Sequence, residues 1–331
     1  MKAAYYDRFG PAREVLTIGE LATPAPGPGE VLVRVRASGV NPSDVKLRAG
    51  KRPGGVAAEM PFPRIVPHSD GAGVIEAVGL GVDAAMIGTR VWLWNAQWGR
   101  AFGSGAEYVA LPSEQAVPLP EATSFVEGAC GGIPMTTACH CVFGDGDVTG
   151  KTVLVTGAAG AVGRYAVQMA KLGGATVLAT VSGPEKAAEA EAAGADHILN
   201  YRSEDVASRV MAITGGAGVD RIVEVEFGGN LPVSNQIIAP NGVIAAYASM
   251  AAPEPALPFY QLMFRNVTLR MVVVYQLSIE ARTAVIERLT PMLTAGALSH
   301  KIAATYPLAD TAAAHEAVEA GDKIGAVVVE I

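Results

Sequence analysis

The sequence predicts an α/β protein built from two kinds of module, one mostly β and one a doubly wound parallel sheet. Three observations carry that reading. Strand-like and helix-like segments alternate from about residue 121 onward. A glycine-punctuated octet, Thr156-Gly157-Ala158-Ala159-Gly160-Ala161-Val162-Gly163, stands between a continuous apolar run and an amphipathic one. Ahead of both lies a stretch of short segments broken by glycine and proline.

That first stretch reaches to about residue 119. Residues 30–36 read as a strand in which Arg34 and Arg36 alternate with valine, and 71–78, 89–94 and 108–111 read as further strands. The turn cluster Pro24-Ala25-Pro26-Gly27-Pro28-Gly29 punctuates the same stretch. In the second stretch, 152–156 is an apolar run of the kind buried on both faces. A helix over 161–172 follows and stops at Gly173-Gly174. A strand at 176–181 then leads to a helix over 185–193, with Pro184 suited to the first helical position and Gly194 to the C-terminal cap. Strands at 197–200, 221–225, 242–248 and 267–275 complete a set that fits a doubly wound parallel sheet. Beyond about 277 come a helix over 279–295, a strand at 302–306, a helix over 310–320 and an apolar strand at 326–331 suited to rejoining the first module. The expected division is 1–120, 121–276 and 277–331.

Composition narrows the function. Of 331 residues 50% are apolar and 17% charged, which supports a large core and argues against disorder. A net charge of −7 disfavours a phosphate-tracking surface, so no nucleic-acid partner is expected. No apolar run approaches the roughly 18 residues that span a bilayer, and the N-terminal Met1-Lys2-Ala3-Ala4-Tyr5-Tyr6-Asp7 has no apolar signal region. Cys130, Cys139 and Cys141 lie too close together for a disulfide framework, so a cytoplasmic protein without a membrane partner is expected. Glycine (38) and proline (21) are abundant and aromatics scarce at 6%, as in a fold that needs bare backbone.

The octet explains part of that need. Gly157 suits a tight turn off the strand, Gly160 lets backbone approach a pyrophosphate, and Gly163 permits close packing of helix on sheet. The helix start then offers unpaired N–H groups and a positive dipole to phosphate. The strand at 176–181 runs into Ser182-Gly183-Pro184-Glu185-Lys186, with no carboxylate where an NAD site holds the ribose hydroxyls. A carboxylate about 4 Å from a phosphate costs on the order of 4 kcal/mol per charge pair at an effective dielectric near 20. Ser182, Lys186 and Tyr201 instead suit a 2′-phosphate, which points to NADPH; Glu185 is the alternative ribose partner.

Ala37-Ser38-Gly39-Val40-Asn41-Pro42-Ser43-Asp44, Asp70-Gly71-Ala72-Gly73-Val74-Ile75-Glu76-Ala77-Val78-Gly79, Gly131-Gly132-Ile133-Pro134-Met135-Thr136-Thr137-Ala138, the octet and Asn200-Tyr201-Arg202 follow one another in a familiar order. With these motifs the whole chain resembles the medium-chain dehydrogenase/reductase superfamily, and within it the zinc-independent, zeta-crystallin-like NADPH:quinone oxidoreductases. The resemblance implies a GroES-like catalytic domain made from both chain ends, a Rossmann domain between them, NADPH, and a homodimer or homotetramer. It implies reduction of a quinone, an enone or another activated alkene. It also implies that Ala159, Gly160, Ala161 and Val162 hold pyrophosphate, that Tyr247, Ala248, Ser249, Val273, Val274 and Tyr275 flank the nicotinamide half, and that Thr137 lies near its carboxamide. Two departures stand out. Zinc-dependent relatives carry a cysteine where this chain has Asn41, and related quinone reductases often place a tyrosine where this chain has Lys51-Arg52-Pro53-Gly54-Gly55.

With Asn41 in place of a soft ligand, no catalytic metal is expected. His68 stands at a relative's ligand position but is better taken as a polar residue at a cleft edge or a satisfied buried histidine. Cys139-His140-Cys141 lies in an apparent helix, where neighbouring side chains diverge, so packed thiols are expected. Catalysis should then rest on holding the nicotinamide against an electron-poor acceptor, with a donor for the developing oxyanion. Asn41 is the first candidate and Arg52 the second; Asn41 is equally a turn residue before Pro42, and Arg52 otherwise a surface charge. Trp92, Trp94 and Trp98 line an apolar cleft or pack in the core. Two other functions remain open: a metal-free ketone or carbonyl reductase, and a non-catalytic NADPH-binding, crystallin-like protein.

Overall fold

Alternation of valine with charged residues builds the first part of the molecule. The computed structural model describes residues 1–51 and 59–331, and the chain divides into two units, Met1–Ile133 with Met292–Ile331, and Pro134–Pro291. In the first unit β1 (Lys2–Tyr5) and β2 (Thr17–Glu20) form a small antiparallel ribbon. The spine of the larger sheet is β3 (Glu30–Val40), where Val31, Val33 and Val35 are buried and Arg34 and Arg36 exposed. Alongside it run β4 (Asp70–Val78), then β5 (Arg90–Leu93), while β6 (Tyr108–Pro112) pairs with the start of β3 and β7 (Ala116–Pro118) with β5. Val31, Val33, Val35, Ile75, Val91 and Leu111 form the core they share. A short helix, Pro42–Arg48, follows β3; its Pro at the first position and the Asn41 cap, not any apolar periodicity, start it.

The second unit is a six-stranded parallel sheet. Its strands are β8 (Thr152–Val155), β9 (Thr176–Val181), β10 (His197–Asn200), β11 (Val219–Glu224), β12 (Ile238–Ala246) and β13 (Thr268–Met271). Their spatial order is β10-β9-β8-β11-β12-β13, so the order reverses between β8 and β11 as in a doubly wound Rossmann sheet. Leu154, Leu178, Ile222, Ile244, Leu231 and Leu199 form its core. The helix Ala161–Leu172 ends at Gly173, followed by Gly174 at φ +81°.

Two strand expectations need correction. The strand expected at 242–248 starts earlier, at Ile238, and ends at Ala246, leaving Tyr247, Ala248 and Ser249 in a loop. The strand expected at 267–275 stops at Met271, and Val274–Gln276 is a 3-10 turn. The reason is shared: the β12–β13 register ends at Ala246 opposite Met271, so neither strand has a ladder partner beyond that point.

The chain returns to the first unit with β14 (Ile302–Pro307), the helix Thr311–Ala320 and β15 (Ala326–Glu330). β15 pairs antiparallel with the end of β3, Val327 opposite Val40, and parallel with β14. Val40, Val45, Ala314, Val318, Val327 and Val329 pack there as one cluster. The mixed α/β architecture, mostly β in the first unit and a doubly wound parallel sheet in the second, is the one the sequence predicts.

Candidate functional site

The octet turns sharply off β8. Gly157 adopts φ +62°, a conformation that side chains rarely take, and its carbonyl accepts from Gly160 N–H at 2.9 Å. A Cβ on Gly163 would stand 2.3 Å from the Gly157 oxygen and 2.9 Å from Ala158 Cα, so the helix crosses its own entry turn where only glycine fits. From the neighbouring strand, Thr180 braces the turn through its carbonyl to Ala158 N–H at 3.1 Å and its hydroxyl to Gly157 N–H at 3.3 Å. Gly160 caps the helix without a side-chain oxygen, so no side chain competes for the first-turn N–H groups of Ala161, Val162 and Gly163. Ala159 is buried and Gly160 exposed. Bare backbone, a helix start and open access fit a pyrophosphate.

Ser182 follows β9, and Lys186 lies in the first turns of the helix Pro184–Ala192. Tyr201 follows β10; its N–H donates to Val181 O at 3.1 Å, which holds it against the end of β9, and its ring is exposed. Ser182 and Lys186 are half-buried. Hydroxyl, ammonium and phenol thus belong to the ends of adjacent strands, with Glu185 the nearest carboxylate in sequence.

Tyr247, Ala248 and Ser249 lie in the loop after β12. Tyr247 N–H donates to Glu224 O at 3.0 Å, and Ala248 O accepts from Phe227 N–H at 2.9 Å. The Ser249 hydroxyl accepts from Gly228 N–H at 2.9 Å and donates to Ala252 O at 2.6 Å, so its proton is committed within the protein and one lone pair is left to accept. Val273 is exposed and Val274 buried in the 3-10 turn after β13. Thr137 is buried on the helix Thr136–Phe143. Apart from Thr137, which is on a helix ahead of β8, the residues expected at the cofactor follow the carboxyl ends of β8, β9, β10, β12 and β13, where doubly wound sheets bind ligands.

One residue at that edge escaped the sequence reading. Glu224 ends β11, is fully buried, and its Oε1 accepts from the Thr156 hydroxyl at 2.7 Å, Glu226 N–H at 2.7 Å and Asn230 Nδ2 at 2.9 Å. Burial pushes its carboxyl above the usual range, against the pull of those donors. A carboxylate closing the apolar run Ile222-Val223 was the available signal.

The first unit holds a buried polar cluster, closed except at His315 Nδ1, which has no partner among the described residues. Asn41 is buried; its Nδ2 donates to Asp70 Oδ2 at 2.8 Å and its N–H to Asp44 Oδ2 at 2.8 Å. Asp70 also accepts from Ile133 N–H at 2.8 and 2.9 Å, and a Cβ on Gly132 would press to 2.1 Å from its Oδ1. Burial pushes the Asp44 carboxyl up to about 7. His68, at φ +79° and buried, lies between Ser38 Oγ at 2.8 Å and His315 Nε2 at 2.9 Å. The chain of donors has one direction. Ser104 Oγ is 2.5 Å from the Asp70 carbonyl, which only accepts, so the Ser104 proton is committed there. Ser38 must then donate to Ser104 Oγ, His68 Nδ1–H to Ser38, and His315 Nε2–H to His68 Nε2. Burial lowers the His68 imidazole to about 3 and His315 well below its usual value, so both are neutral.

His68 is thus the satisfied buried histidine of the two readings. Arg52 lies outside the described residues. Trp92 and Trp94 are buried, whereas Trp98 is 46% exposed, so the three do not form one cleft wall. Cys130, Cys139 and Cys141 are buried free thiols, and burial raises all three, Cys139 to about 12. Among the described residues, no group of three histidine, cysteine or acidic side chains could hold a metal ion.

Two family models match the chain, the alcohol dehydrogenase GroES-like domain over residues 27–121 and the zinc-binding dehydrogenase over 161–290. The residues present do not fit a zinc ion: the Asn41 amide is engaged with Asp70, and both ring nitrogens of His68 are taken by Ser38 and His315. The chain is 32% identical to a quinone oxidoreductase of Rattus norvegicus over 73% of its own length and 71% of that protein's. It is 32% identical to a 2-haloacrylate reductase of a Burkholderia species over 99% of its length and 98% of the relative's. Among solved structures, it superposes on a mycobacterial protein complexed with NADPH with a TM-score of 0.86 at 29% identity, over 100% of both chains.

Proposed function

The chain belongs to the zinc-independent quinone oxidoreductase family of the medium-chain dehydrogenase/reductase superfamily, and from that premise we propose that it reduces quinones or activated alkenes with NADPH. The observation that carries the cofactor is the phosphate turn, where Gly163 fits only without a side chain and no side chain caps the helix start. When bound, NADPH supplies the hydride. Ala159, Gly160, Ala161, Val162 and Gly163 hold its pyrophosphate through backbone N–H groups, and Ser182, Lys186 and Tyr201 bind the 2′-phosphate. Tyr247, Ala248, Ser249, Val273, Val274 and Tyr275 with Thr137 position the nicotinamide half. Asn41, whose amide keeps a second N–H beyond the one Asp70 takes, is the proposed donor to the developing oxyanion, and Arg52 the second candidate. The 2-haloacrylate reductase relative favours conjugated, electron-poor alkenes alongside quinones as acceptors.

The assembly is read as a homodimer. β13 is an edge strand, and Phe259, Tyr260, Phe264 and Met271 nearby are 58%, 68%, 81% and 63% exposed, an apolar patch of the kind that marks an interface. The three buried thiols agree with a cytoplasmic location, and among the described residues no helix is long and apolar enough to cross a membrane. The catalytic domain is taken as 1–120 with 277–331 and the nucleotide domain as 121–276.

The test is NADPH oxidation with 1,4-benzoquinone, naphthoquinones, enones, 2-chloroacrylate and simple ketones, with NADH in parallel. Turnover is expected with the quinones or conjugated alkenes. Ketones alone as acceptors would overturn the substrate class. NADPH binding without turnover would overturn the enzyme.

A further inference from the structure

We infer that Glu224 and Thr156 together set the geometry of the phosphate turn, acting as positioning residues for the dinucleotide. The inference rests on the cofactor site proposed above. Thr156 is the last residue before Gly157, and its hydroxyl links the turn's entry to the end of β11: it donates to Glu224 Oε1 at 2.7 Å, with the Val223 carbonyl 3.2 Å away, and accepts from Val225 N–H at 2.9 Å. From the same oxygen of Glu224, bonds run to Glu226 N–H at 2.7 Å and Asn230 Nδ2 at 2.9 Å, at the start of the helix Phe227–Ile237. The Glu224 carbonyl accepts from Tyr247 N–H at 3.0 Å, at the head of the loop assigned to the nicotinamide half.

One buried residue therefore ties together three segments: the pyrophosphate turn through its carboxylate and Thr156, a helix start through the same oxygen, and the nicotinamide loop through its main chain. Burying a carboxylate is costly unless its hydrogen bonds are made. Burying it at the carboxyl edge of the sheet spends that cost where the ligand binds. A purely structural acid would do the same work anywhere along β11. Gly157 needs this support, because it holds φ +62° with its Cα position facing Val225, the residue whose N–H Thr156 fixes.

The experiment uses the full chain with Thr156→Val, which deletes the hydroxyl at nearly constant shape, and Thr156→Ser, which restores it. Glu224→Gln keeps an acceptor at Oε1 and removes the charge. The readouts are the NADPH dissociation constant by fluorescence titration, KM for NADPH against kcat, and Tm without cofactor. Thr156→Val is expected to weaken NADPH about tenfold, the loss of roughly one hydrogen bond to a charged group, with the effect falling on KM for NADPH more than on kcat. Thr156→Ser is expected to return binding to within about twofold of the parent, and Glu224→Gln to fall between them, since neutral hydrogen bonds are roughly half as strong. A lower Tm for Thr156→Val with NADPH binding within twofold of the parent would overturn the inference and leave a structural bond only. A parent protein that fails to bind NADPH would overturn the cofactor reading with it.

Discussion

The two units treat buried polarity in opposite ways. At the phosphate turn, the polar groups are main-chain N–H donors at an uncapped helix start, reached through glycines and left facing outward. In the first unit, Asn41, Asp70, Ser104, Ser38, His68 and His315 turn nearly all their polar atoms toward one another, in a donor chain with a single direction that leaves, among these six residues, only His315 Nδ1 without a partner. An open donor set has lost its partners to no one and stays available to an anion. A closed set spends its capacity on the fold, and anything it contributes to chemistry comes from what is left over. The difference separates a site built to receive a ligand from a framework that happens to contain titratable residues.

The comparison breaks most severely at Gly163. Gly163→Val drives a branched side chain into the Gly157 carbonyl, and NADPH affinity is expected to fall by at least about a thousandfold, some 4 kcal/mol, in a fluorescence titration. Retained binding would mean that the turn is not the phosphate site. Asn41→Ala tests the closed side. Losing the cap costs about 1 kcal/mol of stability, read by urea titration, and losing the leftover N–H is expected to lower kcat on the order of 100-fold. If kcat is unchanged, Asn41 belongs wholly to the framework and the contrast between the units becomes complete.

Acid sharpens the contrast next. His68 and His315 are neutral in the fold, with pKa values pushed below the usual 6.5, so the unfolded chain takes up protons that the native state refuses. Their contribution is whole above pH 6.5 and is lost as pH falls toward about 3. Asp44 runs the other way: its raised carboxyl, near 7, binds a proton in the fold from about 7 down to 3.8, so its contribution grows on acidification over that range. Two groups against one leave roughly one proton, or about 2 kcal/mol lost between pH 6.5 and 5. Urea midpoints at the two pH values check this, and His68→Gln with His315→Gln should reverse the sign of the slope. The smallest effect is expected at the adenosine end. Lys186→Ala should cut the preference for NADPH over NADH about tenfold, near 1.4 kcal/mol, in kcat/KM ratios. An unchanged ratio would shift the 2′-phosphate contact to Ser182 and Tyr201.

The legible parts of the site were local. Gly157, Gly160 and Gly163 could be recognised because a turn, a close approach and a helix crossing each constrain one backbone position within a few residues. Ser182 and Tyr201 could be placed because each follows its strand directly. His68 could not be assigned a role from its neighbours, since the partner that satisfies it, His315, lies 247 residues away. Glu224 was invisible for a related reason. A single carboxylate after an apolar run looks like a strand leaving the core, and only the approach of Thr156 and Asn230 shows that it stays inside. The ends of β12 and β13 were misjudged because apolar sequence continues past the point where the ladder does.

Taken alone, the amino-acid sequence determined the succession of the six parallel strands, the glycine turn off β8, and the absence of a carboxylate directly after β9. Each follows from φ restrictions, periodicity or charge acting over a few neighbouring residues. The tertiary structure alone decided that Asn41 caps a helix and binds Asp70, that His68 is neutral between Ser38 and His315, and that Glu224 stays buried with Thr156 and Asn230 on one carboxylate oxygen. Those outcomes depend on which polar groups meet in the absence of water, and burial sets their protonation and direction only after distant segments have packed.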